Sequence, residues 1–185
     1  MSRSLAAVIL AMGEALGSMG APTEGADVPR YHLGRPATAA DIAAAGISVG
    51  PDGRGLPAGH ATAREGRPLY QSLCAACHGF RGEGSDTYPA LSGGQNTLRS
   101  AQPILTIGSY WPYATTVWDY INRAMPYQNP GTLRPQQVYA LTAYLLHLNK
   151  IVSERQVIDR DTLPLIRMPN RHGFVADPRP DVRQK

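Results

Sequence analysis

The only two cysteines of the chain, Cys74 and Cys77, stand two residues apart with His78 directly after them, and the rest of the fold must be arranged around that cluster. A disulfide across so short a gap in a helical stretch is strained, and such pairs usually do redox chemistry. A thioredoxin-like dithiol needs a strand just before the motif, whereas the residues here read as a helix. A zinc site needs four ligands and would have to recruit scattered histidines or carboxylates. Covalent attachment of a haem needs two thiols for its two vinyl groups and an adjacent histidine for the iron, and Cys-Ala-Ala-Cys-His supplies all three. Haem c is the favoured reading, and zinc is the alternative.

A chain of 185 residues has room for one domain with arms. Its 16 prolines and 19 glycines imply many irregular connections around a limited set of helices. The net charge is a modest +4, and eight of the eighteen basic residues fall between Lys150 and Lys185, offset there by five acids. That end reads as a solvated, weakly basic tail, and no basic stripe interleaved with aromatics suggests nucleic-acid binding. Residues 1–21 carry an early Arg3, an apolar run from Leu5 to Met12 and small residues around Ser18–Ala21, the three parts of a secretory signal peptide, with Glu14 as a flaw in the run. Export to the periplasm is therefore expected, with no stable membrane span once the leader is cleaved. Haem attachment of this kind takes place outside the bacterial cytoplasm, so the two readings agree.

Residues 22–60 read as a Pro- and Gly-rich arm with one short helix, opened by the capping pattern Thr-Ala-Ala-Asp at 38–41 and stopped at Gly46. A second such pattern, Thr-Ala-Arg-Glu at 62–65, opens a helix that leads through Gly66 and Tyr70 to the cysteines. From Gly79 to about Gln102 the chain reads as a long loop wrapped around something. A helix is predicted over 114–124 and ends at Met125-Pro126. Another is predicted over 133–149, with Val138, Leu141, Leu145 and Leu148 on one face, Pro135 in the first turn and Thr132 as the capping residue. Residues 61–150 would form the haem domain, and 151–185 an extension whose only regular feature is a short turn near Leu163. The fold class is mostly α.

With His78 as the proximal ligand, a sixth iron position remains. Met1, Met12 and Met19 fall in the leader, which leaves Met125 and Met168. Met125 is favoured, because a proline directly after a helix end can aim its sulfur inward. The bland reading of Met125 is a core filler. His147, on the flank of the last helix, reads as structural. Pro89 stands where its carbonyl can accept a hydrogen bond from the other imidazole nitrogen, fixing ring orientation. Leu91 would pack on the haem edge, and Tyr110, Trp111 and Tyr113 are candidates to wall the pocket or reach the propionates. Gly66 and Tyr70, with Tyr144 on the last helix, suggest a close helix crossing.

Taken together these residues resemble a class I c-type cytochrome. The stretches "HLGRPATAADIAAAGISVGPDGRGLPAG", "TIGSYWPYATTVWDYINRAMPYQNPG", "VYALTAYLLHLNKIV" and "LIRMPNRHGF" resemble, more specifically, the cytochrome subunit of Sox-type sulfur (sulfane) or sulfite dehydrogenases, from about His32 to Phe174. The resemblance implies three to five helices around one covalent haem. It carries Cys74, Cys77, His78 and Met125 over as attachment and iron ligands. It also implies a catalytic partner, a molybdopterin subunit of the sulfite-oxidase type that oxidises sulfane sulfur or sulfite, and a small downstream cytochrome c. Some relatives have a second haem domain, whereas this chain has one CxxCH. The chain by itself would be an electron carrier and not an enzyme. The alternatives are a cytochrome serving another periplasmic dehydrogenase, and a haem peroxidase or sensor with an open iron position.

Overall fold

The computed structural model describes residues 33–179, so the expected leader at 1–21 lies outside the described residues. The chain divides into a unit ending at Thr38, of which only residues 33–38 are described, and a second unit from Ala39 that holds every described helix and strand.

Five helices dominate the second unit: α1 (Ala39–Ala45), α2 (Ala63–Leu73), α3 (Ala75–His78), α4 (Ala114–Ala124) and α5 (Pro135–Leu148). The helix starts follow local chemistry. At α2 the Thr62 hydroxyl accepts from the Glu65 amide at 3.4 Å, and the Glu65 carboxylate accepts from the Thr62 amide at 2.7 Å, a complete capping box. Hydrogen bonds from the Thr62 hydroxyl and then from its amide hold the Glu65 carboxyl below its ordinary range. At α5 the sequence expectation fails. Thr132 donates its hydroxyl to the Asn129 carbonyl at 2.8 Å, and the helix starts at Arg134, whose amide donates to the Gln137 side chain at 3.0 Å. Gln137 thus satisfies the Arg134 amide, and its own amide donates to the Arg134 carbonyl at 2.8 Å in place of a side-chain cap.

Helix α5 is the centre of the core, buried on all sides from Val138 to Leu146 instead of along one face. Helix α2 crosses it at Gly66, where a β-carbon would lie 1.9 Å from the Ala140 carbonyl oxygen, and Tyr70 packs on Tyr144 with ring centroids 5.1 Å apart. Helix α4 covers another side through Trp118, which tilts onto Tyr139 at 5.6 Å.

Parts of both flanking segments pack on the core, including the C-terminal one that charge makes read as a solvated tail, although α1 itself has no buried residue. Val49 donates its amide to the buried Asp119 carboxylate on α4 at 2.8 Å, Leu56 is buried, and Pro57 accepts from the Tyr139 hydroxyl at 2.9 Å. A two-residue strand β1 (His60–Ala61) pairs antiparallel with β2 (Ile158–Asp159), Ala61 opposite Ile158, and a single 3-10 turn follows at Leu163–Leu165. Ile158 and Leu163 are wholly inaccessible to solvent, and Met168 is 3% exposed. Charge scattered among apolar anchors hides the anchors from a composition argument: Arg155, Arg160 and Arg167 are exposed, while Val152, Ile158, Leu163, Ile166 and Met168, at irregular spacing between them, are buried. No helix among the described residues is long and apolar enough to cross a membrane.

Candidate haem site

Helix α2 delivers the chain to the cysteine pair. Cys74 ends α2, with its amide donating to the Tyr70 carbonyl at 2.9 Å, and also starts the single turn of α3. One turn of helix brings Cys74, Cys77 and His78 together on one wall, with both thiols free and partly accessible. Burial, and then the neighbouring Cys77, push the Cys74 thiol up to about 11. The turn is closed at Gly79, whose φ of +77° favours a residue without a side chain. The Tyr70 hydroxyl donates to the Gly79 carbonyl at 2.9 Å and the Gly84 amide donates to the His78 carbonyl at 2.8 Å, so the backbone of His78 and of the residue after it is pinned. Burial raises the Tyr70 phenol far above its ordinary value, the Cys74 thiolate adding to the effect.

The His78 ring carries the tautomer information in its one hydrogen bond. Its Nδ1 lies 3.1 Å from the Pro89 carbonyl oxygen. A carbonyl can only accept, so Nδ1 carries the proton and Nε2 keeps its lone pair for a ligand. The loop that carries Pro89 is itself tied down. The Leu91 carbonyl accepts from the Asn149 side chain at 3.0 Å and from the Ile107 amide at 3.3 Å. The buried Thr106 hydroxyl donates to the Gly93 carbonyl at 2.6 Å and accepts from the Gly108 and Ser109 amides, joining the two halves of the long irregular stretch.

These elements enclose one deep, strongly apolar cavity. Cys74, Cys77 and His78 line it from α3, Pro89 and Leu91 from the loop, Val117 and Ile121 from α4, and Leu141 and Leu145 from α5. Met125, the residue that ends α4, lines it too, and the Met125–Pro126 peptide is cis. Met168 does not line it. It is buried in the core elsewhere. His147 also stays outside, with its Nδ1 3.2 Å from the Val152 carbonyl, which makes it a structural histidine.

Of the three aromatics expected at the pocket, only Trp111 reaches it. Tyr110 and Tyr113 turn to the C-terminal segment instead, Tyr110 against Phe174 with centroids 5.2 Å apart and Tyr113 beneath the Arg171 guanidinium at 4.4 Å. The reason is that the apolar anchors at Ile166 and Met168 bring that segment within reach of these two rings. Sequence reasoning missed Tyr88, Tyr120 and Tyr127 on the cavity wall. Tyr88 stands edge-on to His78 at 6.2 Å, and Tyr120 edge-on to Trp111 at 5.7 Å. Tyr120, three residues after Val117 and one before Ile121, could have been found by helical spacing.

The donor set suits a flat apolar macrocycle with an iron at its centre: two thiols at thioether spacing, an imidazole with a free Nε2, a thioether and walls of aliphatic and aromatic carbon. Among the described residues no three His, Cys, Asp or Glu side chains gather as a zinc site without a macrocycle would need. The fold and this site together define a haem-bearing electron-transfer domain. Residues 63–149 match the cytochrome c family profile. The chain is also similar to a chain in the crystal structure of the sulfane dehydrogenase SoxCD from Paracoccus pantotrophus, at 40% identity over 80% of this chain and 73% of that one, with a TM-score of 0.74. A second similarity is to the thiosulfate dehydrogenase TsdBA from Marichromatium purpuratum, as isolated, at 28% identity over 45% of this chain and 17% of that one, with a TM-score of 0.35. No curated protein matches it. The chain belongs to the cytochrome c family, with the family's mostly helical fold and covalently bound haem c.

Proposed function

We propose that this chain is an exported, periplasmic electron carrier that takes single electrons from a molybdopterin subunit of the sulfite-oxidase type and hands them to a small soluble cytochrome c. In this reading Cys74 and Cys77 hold the haem through thioether bonds, and His78 Nε2 and the Met125 sulfur bind its iron. The observation that carries the reading is that one apolar cavity is lined by the cysteine pair, His78 and Met125, and by no other described methionine or histidine. The similarity to a chain of a sulfane dehydrogenase supports the choice of partner and of sulfane sulfur as the ultimate electron source, with sulfite as the other candidate.

Bound in this cavity, haem c supplies reversible one-electron chemistry between ferric and ferrous iron. The chain's own residues set the conditions for it. The Pro89 carbonyl fixes the His78 ring and raises the basicity of its free nitrogen. With His78 and Met125 both holding the iron, in a cavity walled by Leu91, Ile121, Leu141 and Leu145, the bound haem would have a raised potential. That suits an acceptor downstream of molybdenum. A peroxidase or gas sensor needs an open iron position and distal acid–base groups, and a Met125 sulfur bound to the iron would leave no such position.

Absorption spectra of the exported protein, oxidised and reduced, and of Met125→Ala test the site. Sharp c-type bands, with a weak long-wavelength sulfur band that disappears in the variant, are expected. A sulfur band retained in Met125→Ala would remove Met125 from the iron, and a colourless protein from a haem-attaching host would end the haem reading. The partner is tested separately, by co-purification from periplasm and reduction of the haem on adding thiosulfate or sulfite to the isolated complex.

A further inference from the structure

The stretch Leu165–Phe174, singled out in the sequence, has no part in the haem ligand set, yet it makes a dense group of specific contacts. Ile166 and Met168 anchor it in the core. Two tight turns follow, closed by the Arg171 amide on the Met168 carbonyl at 3.1 Å and the Gly173 amide on the Asn170 carbonyl at 3.1 Å. Gly173 leaves room for the Asn170 carboxamide, since a β-carbon there would lie 1.8 Å from its oxygen. The carboxamide then donates from Nδ2 to the Tyr110 carbonyl at 2.7 Å. Phe174 packs edge-on to the Tyr110 ring, and the Arg171 guanidinium sits over the Tyr113 ring.

Two of these contacts fall on Tyr110, directly before Trp111, and the third on Tyr113, two residues after it, and the Tyr110 carbonyl belongs to the peptide that leads into the tryptophan. Trp111 lines the cavity and presses edge-on against Tyr120, which lines it from α4, the helix that ends in Met125. We propose that the segment Met168–Phe174 is a clamp that holds Trp111 against the haem, with Asn170 and Arg171 as positioning residues that keep the α4 wall, and through it Met125, in place. A carbonyl fixed by a side-chain amide and a ring fixed by a cation leave the intervening indole little freedom to swing out. The inference rests on the reading that the haem occupies this cavity with Met125 on its iron.

The test uses the full-length haem-loaded protein. The ferric form of the double variant Asn170→Ala, Arg171→Ala is mixed with imidazole, and the rate at which the sulfur band disappears is followed. The expected result is unchanged c-type bands at rest, with displacement of Met125 faster by about tenfold, the opening that follows from losing one hydrogen bond and one cation–π contact. Arg171→Lys, which keeps a cation over Tyr113, should recover part of the loss. In a Trp111→Phe background the double variant should add much less, since the group being positioned is gone. An unchanged rate in the double variant, or the same increment with and without Trp111, overturns the clamp. Should the double variant not accumulate, Arg171→Ala and Asn170→Ala singly give the same two outcomes. Absence of a sulfur band from the unsubstituted protein would instead overturn the ligand reading beneath it.

Discussion

Gly66 shows how one residue decides whether two helices can meet. A methyl group at this position would penetrate the Ala140 carbonyl oxygen and lie 2.8 Å from the Tyr144 β-carbon. Because the obstacle is backbone in a fully packed helix, it cannot rotate away. Gly66→Ala should therefore destabilise the protein by at least about 3 kcal/mol, well beyond the usual range for a glycine-to-alanine change in a helix, where propensity alone would favour alanine. Denaturant melts of the variant would show it, and a stability equal to or above that of the unsubstituted chain would contradict the packing described. Thr62 makes the milder case. Its hydroxyl and Glu65 form a solvent-exposed capping box, and Thr62→Ala should cost about 1 kcal/mol in the same measurement.

Among the elements, the short strand pair and the 3-10 turn carry more than their length suggests. β1 and β2 bring two residues each, yet they fasten the start of α2 to the segment after α5, and the neighbouring Arg64 amide donates to the Glu154 carbonyl at 3.2 Å. The Arg67–Glu154 ion pair beside them, at 2.9 Å, is exposed on both sides and adds at most about 1 kcal/mol. The apolar anchors matter more. Ile158→Ala and Leu163→Ala each remove a fully buried side chain and should cost about 2–5 kcal/mol. A solvated tail would lose almost nothing at either position, so thermal melts of these two variants separate the two descriptions directly.

For the whole molecule, pH acts from both ends. The Glu65 carboxyl is lowered by hydrogen bonds from Thr62, and the Asp159 carboxyl by those from Thr162. A carboxylate with a folded value below its unfolded one contributes stability present above about pH 4 and lost as the pH falls through the folded value. Tyr70 works in the opposite sense. Its phenol is raised by burial, so its contribution is complete below about pH 10 and is lost as the pH rises above that, where the unfolded chain ionises first. The melting temperature should be level between these limits and fall on both flanks. Glu65→Gln should shallow the acid flank and Tyr70→Phe the alkaline one, the latter with a lower plateau because the bond to the Gly79 carbonyl is gone. An alkaline flank unchanged in Tyr70→Phe would assign it to another group.

The sequence by itself determined what is local. Cys74, Cys77 and His78 are a contiguous pattern, α2 begins where the Thr62 capping box places it, α4 ends at Met125-Pro126, and Gly66 with Tyr70 and Tyr144 announced a close crossing. The Pro89 carbonyl, eleven residues from His78, was also legible, because a loop that wraps back around the motif brings a carbonyl within reach of the ring. Tertiary structure alone decided what depends on contacts between distant segments. It turned Tyr110 and Tyr113 away from the cavity and brought Tyr88, Tyr120 and Tyr127 to it, since an aromatic side chain looks the same in the sequence whichever way the backbone faces it. It also buried Ile158, Leu163 and Met168 in a stretch whose charge reads as solvated. Burial of a short irregular segment has no period to read. It follows from the space left open beside α2, α4 and α5, and that space exists only once those helices have packed.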